Sequence, residues 1–414
     1  MKLSLLRISL GQPSGFEGGI FMNNILIIGN GFDIYHGLPT RYTDFLFFLK
    51  HWDQFVSLIN KNIPATGSTS TGIDDEWPIS LGSNSDLIND SIPLLAKHYK
   101  GYDESFFKQL DEIIKSNRWL KYFIDKNDKD GKWIDFENEI QRIILSLDTI
   151  FSGIGKYPIT KNANFLKDQF AIDIMNLFFN ESEKKEFSPL GPIDEKDVMS
   201  FVSTGAKNRI INECIRELND LIAVLRFYLL DLVDNIKVEK YSEQINRLGN
   251  LNVLSFNYTD TFRRVYGPAR VLSCHHVHGS LIEDNMVLGI GDDIFDEGIL
   301  DYIYFQKYFQ RIQKRTGSSY KDWIPYYENG INSEDYEVYI MGHSLDPVDS
   351  SILDFFISNG SVHKINILYY NDKSYEELVI NLIKIIGQDE KINQIGRGRI
   401  LFEKLSSATL GKVR

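Results

Sequence analysis

Cysteine is scarce: Cys214 and Cys274 are the only two among 414 residues. A disulfide framework and a four-cysteine zinc module are therefore excluded, and a reducing cytoplasm is the expected location. Long apolar runs are missing as well. No eighteen consecutive apolar residues occur, so no membrane span is expected. Positive charge is in deficit, with 45 Lys and Arg against 57 Asp and Glu and a net charge of −12. That balance argues against a protein that coats nucleic acid, whose affinity comes from neutralised phosphates. Arg263 and Arg264 still leave room for a local basic patch. Three familiar signatures are incomplete. The dinucleotide fingerprint G-x-G-x-x-G lacks its third glycine, because position 34 is Ile34. The nucleophile elbow G-x-S-x-G fails at Asp346. No site motif carries a nuclease-type carboxylate–lysine cluster.

The rest of the composition, 43% hydrophobic and 25% charged, is that of a globular protein, and the length allows two domains. The first residues, MKLSLLRISLGQPSGFEGGIF, hold a short apolar run but no clean cleavage site for a signal peptide. Residues 17–22, EGGIFM, are codable by a purine-rich ribosome-binding sequence just ahead of a start codon. Met22 is therefore expected to be the native start, with residues 1–21 a disordered or non-native tail.

Apolar runs of strand length recur at residues 25–28 (ILII), 251–255 (LNVLS), 270–274 (RVLSC), 286–290 (MVLGI), 337–341 (EVYIM) and 364–370 (KINILYY). Several are near-continuous rather than alternating, which suits strands buried on both faces. Helical patterns follow at 40–58, 350–358 and 374–386, the second with Asp349 and Ser350 as its N-cap. Strands alternating with helices predict a mostly parallel α/β sheet. Between the first strand and the second the pattern changes. Residues 61–92 are rich in Ser, Thr, Gly, Asn and Asp and read as a loop, a candidate lid. From about 102 to 248 the chain is nearly all helical, and 207–236 reads as one long helix. The expected organisation is an α/β nucleotide-binding-like domain over 22–60 and 249–414, with a mainly helical domain, 61–248, inserted in it. There is no internal repeat.

Four motifs fall at the carboxyl ends of predicted strands, where open α/β sheets bind ligands. In Gly29-Asn30-Gly31-Phe32-Asp33, the glycines either permit a tight strand-to-helix turn or let a pyrophosphate or ribose approach the backbone. Asp33 then accepts from ribose hydroxyls or caps backbone amides. In LSFNYTDTF (254–262), Asn257 either caps the next helix with Thr259 and Asp260 or orients a ribose or a water, with Tyr258 beside it. In SCHHVHGSL (273–281), alternation along a strand puts His276 and His278 on one face and His275 on the other. These histidines are structural, or a metal pair with no matching ligand set nearby, or they include a strand-end general base. The base would be His278, with Gly279 for access and Ser280 for hydrogen bonding. In YIMGHSLDPVDSSI (339–352), Gly342, His343 and Ser344 lead from a strand to a helix whose N-terminus can take an anion. A fifth stretch, KWIDFENEI (132–140), reads as a solvated helix start with Asp135, Glu137 and Glu139 favoured by the macrodipole. A Glu137 turned into a cleft is the alternative.

Together and in this order, ILIIGNGFDIYHGLPTRYTDFL, FNYTDTF, HVHGSL and YIMGHSLDPVDSSI, with WIDFENEI in the insert, resemble the AbiH family of bacteriophage abortive-infection proteins. The resemblance runs from Ile25 to the C-terminal GRILFEKL. More distantly the core is similar to sirtuin-type NAD-binding domains. Gly29 and Gly31 fall at their first glycine loop, and HGLPTRYTDF echoes the segment that follows it. Asn257 matches the Asn after a central strand, and His278-Gly279 matches the catalytic His-Gly. The loop reads Gly-Asn-Gly-Phe-Asp in place of Gly-Ala-Gly-Ile-Ser, and the four zinc-binding cysteines are absent, which argues against peptide deacetylation.

The resemblance implies a Rossmann-like, sirtuin-like α/β core and an antiphage effector that hydrolyses NAD at the nicotinamide–ribose bond. NAD is the expected substrate or ligand, and no metal is expected. His278 would be the general base, and Asn257 would fix the ribose and the water. Gly29, Asn30, Gly31 and Phe32 would cradle the pyrophosphate, with Asp33 toward the ribose. Tyr258, Gly279 and Ser280 would line the site, and Gly342, His343 and Ser344 its far wall. The alternative is a non-catalytic nucleotide sensor whose helical insert binds a phage or host protein. Expected partners are a small-molecule nucleotide and a phage-protein trigger, without membrane or nucleic acid; self-association is left open.

Overall fold

The computed structural model describes residues 23–62, 104–130, 135–154, 168–181, 204–291, 300–324, 336–387, 395 and 397–411. The expected tail with its Met22 start, and the polar segment from residue 63 onward, lie outside the described residues.

Strand β1 (Asn23–Ile28) is followed by α1 (Asn30–Tyr35), α2 (Tyr42–Lys50) and α3 (Trp52–Asn62). Next come α4 (Glu104–Ser116), α5 (Arg118–Asp130), α6 (Phe136–Ile154), α7 (Gln169–Phe178) and α8 (Thr204–Phe227). After them the chain forms β2 (Lys240–Tyr241), α9 (Glu243–Asn246), β3 (Leu251–Ser255), α10 (Thr261–Tyr266) and β4 (Val271–His276). It continues through α11 (Lys307–Gln313), β5 (Tyr336–Met341), α12 (Ser350–Ile357) and β6 (Val362–Tyr369). The last elements are α13 (Asp372–Ile386), β7 (Ile400–Lys404) and β8 (Thr409–Leu410). Among the described residues no helix is long and apolar enough to cross a membrane.

Six strands form one parallel sheet in the order β4-β3-β1-β5-β6-β7. Numbered within the sheet this is 3-2-1-4-5-6, the order of dinucleotide-binding folds, with its reversal point between β1 and β5. The expected α/β, Rossmann-like core is therefore present. Its central strands β1, β3, β5 and β6 are largely apolar because both faces are covered. Ile25 and Ile27 pack with Val338, Ile340, Leu353 and Phe356 on one face; Leu26 and Ile28 pack with Phe32, Val253, Phe262 and Tyr266 on the other. The register aligns Ile28 with Ser255 and Met341, and Ser255 with His276, so the loops leaving β1, β3, β4 and β5 emerge at one level.

A separate helical core joins Phe45, Phe48, Trp52 and Phe55 of α2 and α3 to Trp119, Phe123, Phe136 and Phe227. It also takes in Leu281, Met286, Leu288, Ile290, Tyr302 and Phe305. The helical layer thus packs directly against the segment that follows β4.

Three local expectations change. The glycine turn after β1 is itself the start of α1, with Gly29 at the N-cap position. Residues 286–290 do not form a strand; Ile290 makes a single bridge to Gln306. Their backbone groups go to loop partners instead: Val287 N–H donates to His278 O at 2.8 Å, and Tyr258 Oη–H donates to Val287 O at 2.7 Å. The long helix ends early as an α-helix, at Phe227, and continues as a π turn (Tyr228–Leu232) and a 3-10 turn (Val233–Asn235).

Candidate functional site

At the reversal point two glycine loops pack backbone to backbone. Gly29 N–H donates to Met341 O at 3.3 Å and Gly31 N–H to Gly342 O at 2.8 Å. A Cβ at Gly29 would lie 2.7 Å from His343 Cα, and one at Gly31 would lie 2.8 Å from Gly342 Cα. Gly342 has φ +72 and faces the backbone of Gly31 and Phe32. In this conformation the glycines serve close approach of β1 to β5, and the amides of Gly29 and Gly31 are already spent. Phe32 is buried against His36, Phe262 and Tyr266. Asn30 is exposed and accepts from Thr40 Oγ1.

Asn257, leaving β3, ties into the same lock: its Nδ2 donates to Gly29 O at 2.9 Å. Asp33 sits beneath it, 1% exposed, and accepts from Thr259 Oγ1 at 2.5 Å. Burial pushes its carboxyl up to about 6, opposed by the Thr259 hydrogen bond and the nearby polar groups of Thr261 and Asn257. Its second oxygen has no hydrogen-bond partner.

Beside the lock lies a buried ionic cluster that the sequence reading did not assemble. Asp349 occupies the N-cap position of α12, yet its side chain makes no cap hydrogen bond. Its Oδ1 is instead 3.4 Å from His278 Nε2 and 3.5 Å from Lys307 Nζ, and its Oδ2 is 3.7 Å from His343 Nε2. Lys307, at the start of α11, also pairs at 2.6 Å with Glu137 of α6. Glu137 therefore does turn inward. Asp135 caps its helix, donated to by Glu137 N–H, and Glu139 accepts from Tyr122.

One ammonium now faces two carboxylates. Burial pushes the Asp349 carboxyl up, but Lys307 and then His278 outweigh it and hold it well below the usual range. The Glu137 carboxyl rises to about 7 through burial, with Lys307 opposing and Asp349 adding repulsion. Its side chain stays 23% exposed, which moderates that push. Burial works against the Lys307 ammonium, but both carboxylates together keep it above its ordinary value.

His278 is 5% exposed, and burial lowers its imidazole to about 4, with Lys307 reinforcing and Asp349 opposing. It is neutral at pH 7. Because Nε2 faces the Asp349 carboxylate, the proton belongs on Nε2, and Nδ1 keeps its lone pair with no partner. A neutral imidazole oriented by a carboxylate is equipped to accept a proton. In His343, Nδ1 accepts from Leu345 N–H at 2.9 Å, which turns Nε2 to the same carboxylate.

The histidine strand ends at His276, so alternation does not extend to His278, which sits in the following turn. Gly279 has φ +78 and abuts Asn285, while Ser280 organises the 280–285 loop through Asn285 and Glu283. Tyr258 is partly buried beside Tyr42, and Ser344 is exposed. Arg263 and Arg264 are paired with Asp260 and Asp234 rather than forming a free basic patch. A third group converges at the sheet edge: Asp260, Cys274 and His276 offer ligand atoms within 4.8 Å of one another. An open groove lined by Asn208, Arg209, Asn212, Glu213 and Arg216 lies along α8 and contains none of these residues. It is a polar depression on one helix.

Lys307 and Asp349 had signals that local reading discounts. Lys307 lies with Gln310 on the buried side of a short helix (KYFQRIQ) whose Tyr308 and Ile312 face out, the reverse of what polarity suggests, and Asp349 looks like an ordinary cap. Neither a curated relative nor a solved structure matches the chain. Residues 25–371, which contain all but the first two residues of β1, the helical layer and every member of both clusters, match the family described as bacteriophage abortive infection AbiH. The chain belongs to the AbiH family of bacteriophage abortive-infection proteins.

Proposed function

We propose that this AbiH chain is an antiphage effector whose α/β core holds NAD at the β1/β5 reversal point and hydrolyses its nicotinamide–ribose bond. Family membership supports the phage-defence role. The observation that supports the chemistry is His278: a neutral, Asp349-oriented imidazole with an unpartnered Nδ1, at the carboxyl end of a sheet with dinucleotide-binding strand order. Water would bond to ribose C1′ as the glycosidic bond breaks, and that electron pair would leave with nicotinamide. The water proton would pass to His278 Nδ1, and Asp349 would stabilise the imidazolium. The transition state is oxocarbenium-like, so the ribose must be held while charge develops. Asn257 would do this after releasing or sharing its bond to Gly29 O.

A second reading, a nucleotide sensor, is favoured by how closed the cluster is: Lys307, His278, Asp349 and His343 are all at most 7% exposed. Nicotinamide release by purified protein, and NAD content in infected cells, separate the two. His278→Ala should lower turnover by about a hundredfold or more, and Asn257→Ala should also reduce it through lost positioning. Saturable NAD binding without turnover would favour the sensor. Protection from phage with constant cellular NAD and no NAD binding would remove NAD from the proposal.

A further inference from the structure

We infer that Asp260, Cys274 and His276 form a binding site for one divalent transition metal, zinc being the best match, at the β4 edge of the sheet. Cys274 and His276 are two residues apart on β4 and so share a face. Asp260, from the loop after β3, completes the group within 4.8 Å. The Cys274 Sγ to His276 Nε2 distance is 3.7 Å. With Zn–S near 2.3 Å and Zn–N near 2.0–2.1 Å, a tetrahedral site needs a ligand–ligand edge of about 3.6 Å. The histidine is also set for ligation: its Nδ1 lies 2.9 Å from Asn257 O, so Nδ1 carries the proton and Nε2 turns its lone pair to the other two ligands. A backbone carbonyl behind the imidazole is the usual support of a zinc-bound histidine.

The donor set selects the metal. A thiolate with an imidazole and one carboxylate suits zinc over magnesium or calcium, which prefer oxygen alone. Burial pushes the unliganded Cys274 thiol up to about 12, so metal binding must release its proton to solvent. Arg263 donates to Asp260 Oδ2 at 3.1 Å and is the cation that the metal would share with or displace. All three side chains are half-buried, which leaves a fourth position for water. Bound metal would clamp edge strand β4 to the loop carrying Asn257, through His276 and Asp260. This role does not depend on NAD.

The full-length chain, stripped with a chelator and dialysed against zinc or cobalt(II) chloride, tests the site. Elemental analysis should find one zinc per chain, and cobalt should give a thiolate charge-transfer band in the near ultraviolet. Cys274→Ser should abolish that band, Asp260→Asn should weaken cobalt binding by more than about tenfold, and Cys214→Ala should leave the band intact. Circular dichroism reports whether each variant is folded. A folded wild-type chain that binds no cobalt, or binds it without the thiolate band, overturns the inference. So does a band that survives Cys274→Ser.

Discussion

Asp33→Asn should alter how stability depends on pH while leaving the fold intact. The wild-type carboxyl is 1% exposed, accepts one hydrogen bond from Thr259, and has one oxygen without a partner. Burial moves it from 3.8 to about 6. At about 1.4 kcal/mol per pH unit, that gap corresponds to about 3 kcal/mol. Its folded value is raised, so the folded state holds the proton more tightly than the unfolded chain does. The penalty is absent below pH 3.8, where both states are protonated, grows as pH rises, and is complete above about 6. Asn does not titrate and carries no such penalty. Urea denaturation of both proteins between about pH 4.5 and 7.5 should show the variant gaining on the wild type as pH rises, by about 2 kcal/mol over that range, because part of the penalty is already present at its lower end. The difference between the proteins is the readout, since other groups titrate in both. A difference that stays flat across this range refutes the assignment of Asp33 as a buried, burdened carboxyl. Loss of NAD affinity without that drift would return Asp33 to the ribose.

Gly342→Ala forces a Cβ into the backbone of Gly31 and Phe32 at φ +72. The left-handed conformation costs about 1–2 kcal/mol and overpacking about 1–3 kcal/mol more, which thermal unfolding should register. Lys307→Met strips the counterion from Glu137 and Asp349 and should cost about 3–5 kcal/mol. Adding Glu137→Gln should recover part of that loss, and a double-mutant cycle with no coupling would count against the pairing. If His278 is the base, kcat/KM for NAD should fall only as pH drops through about 4, because the imidazole is active when unprotonated. An acid limb centred near 6.5 would show that the working histidine is not buried.

The sequence by itself determined the strands of the sheet centre. Residues 25–28, 251–255, 337–341 and 364–370 are near-continuous apolar runs, and only burial on both faces tolerates such runs; β1, β3, β5 and β6 follow them closely. The order of the motifs likewise carried the AbiH family. At the edges the same pattern misleads. Residues 286–290 are as apolar as a strand, yet they serve the core beneath the site, and β7 is half polar because it is an edge. The site chemistry was decided in three dimensions. Gly29, Asn257 and Gly342 are hundreds of positions apart in part, and become one lock only because β1 lies between β3 and β5. Asp349 reads locally as a helix cap and becomes an anion between two histidines only when Lys307, on another helix, arrives beside it. A periodic pattern reports whether a side chain is worth burying. It holds no information about which buried charge meets which, because that depends on the packing of elements far apart in the chain.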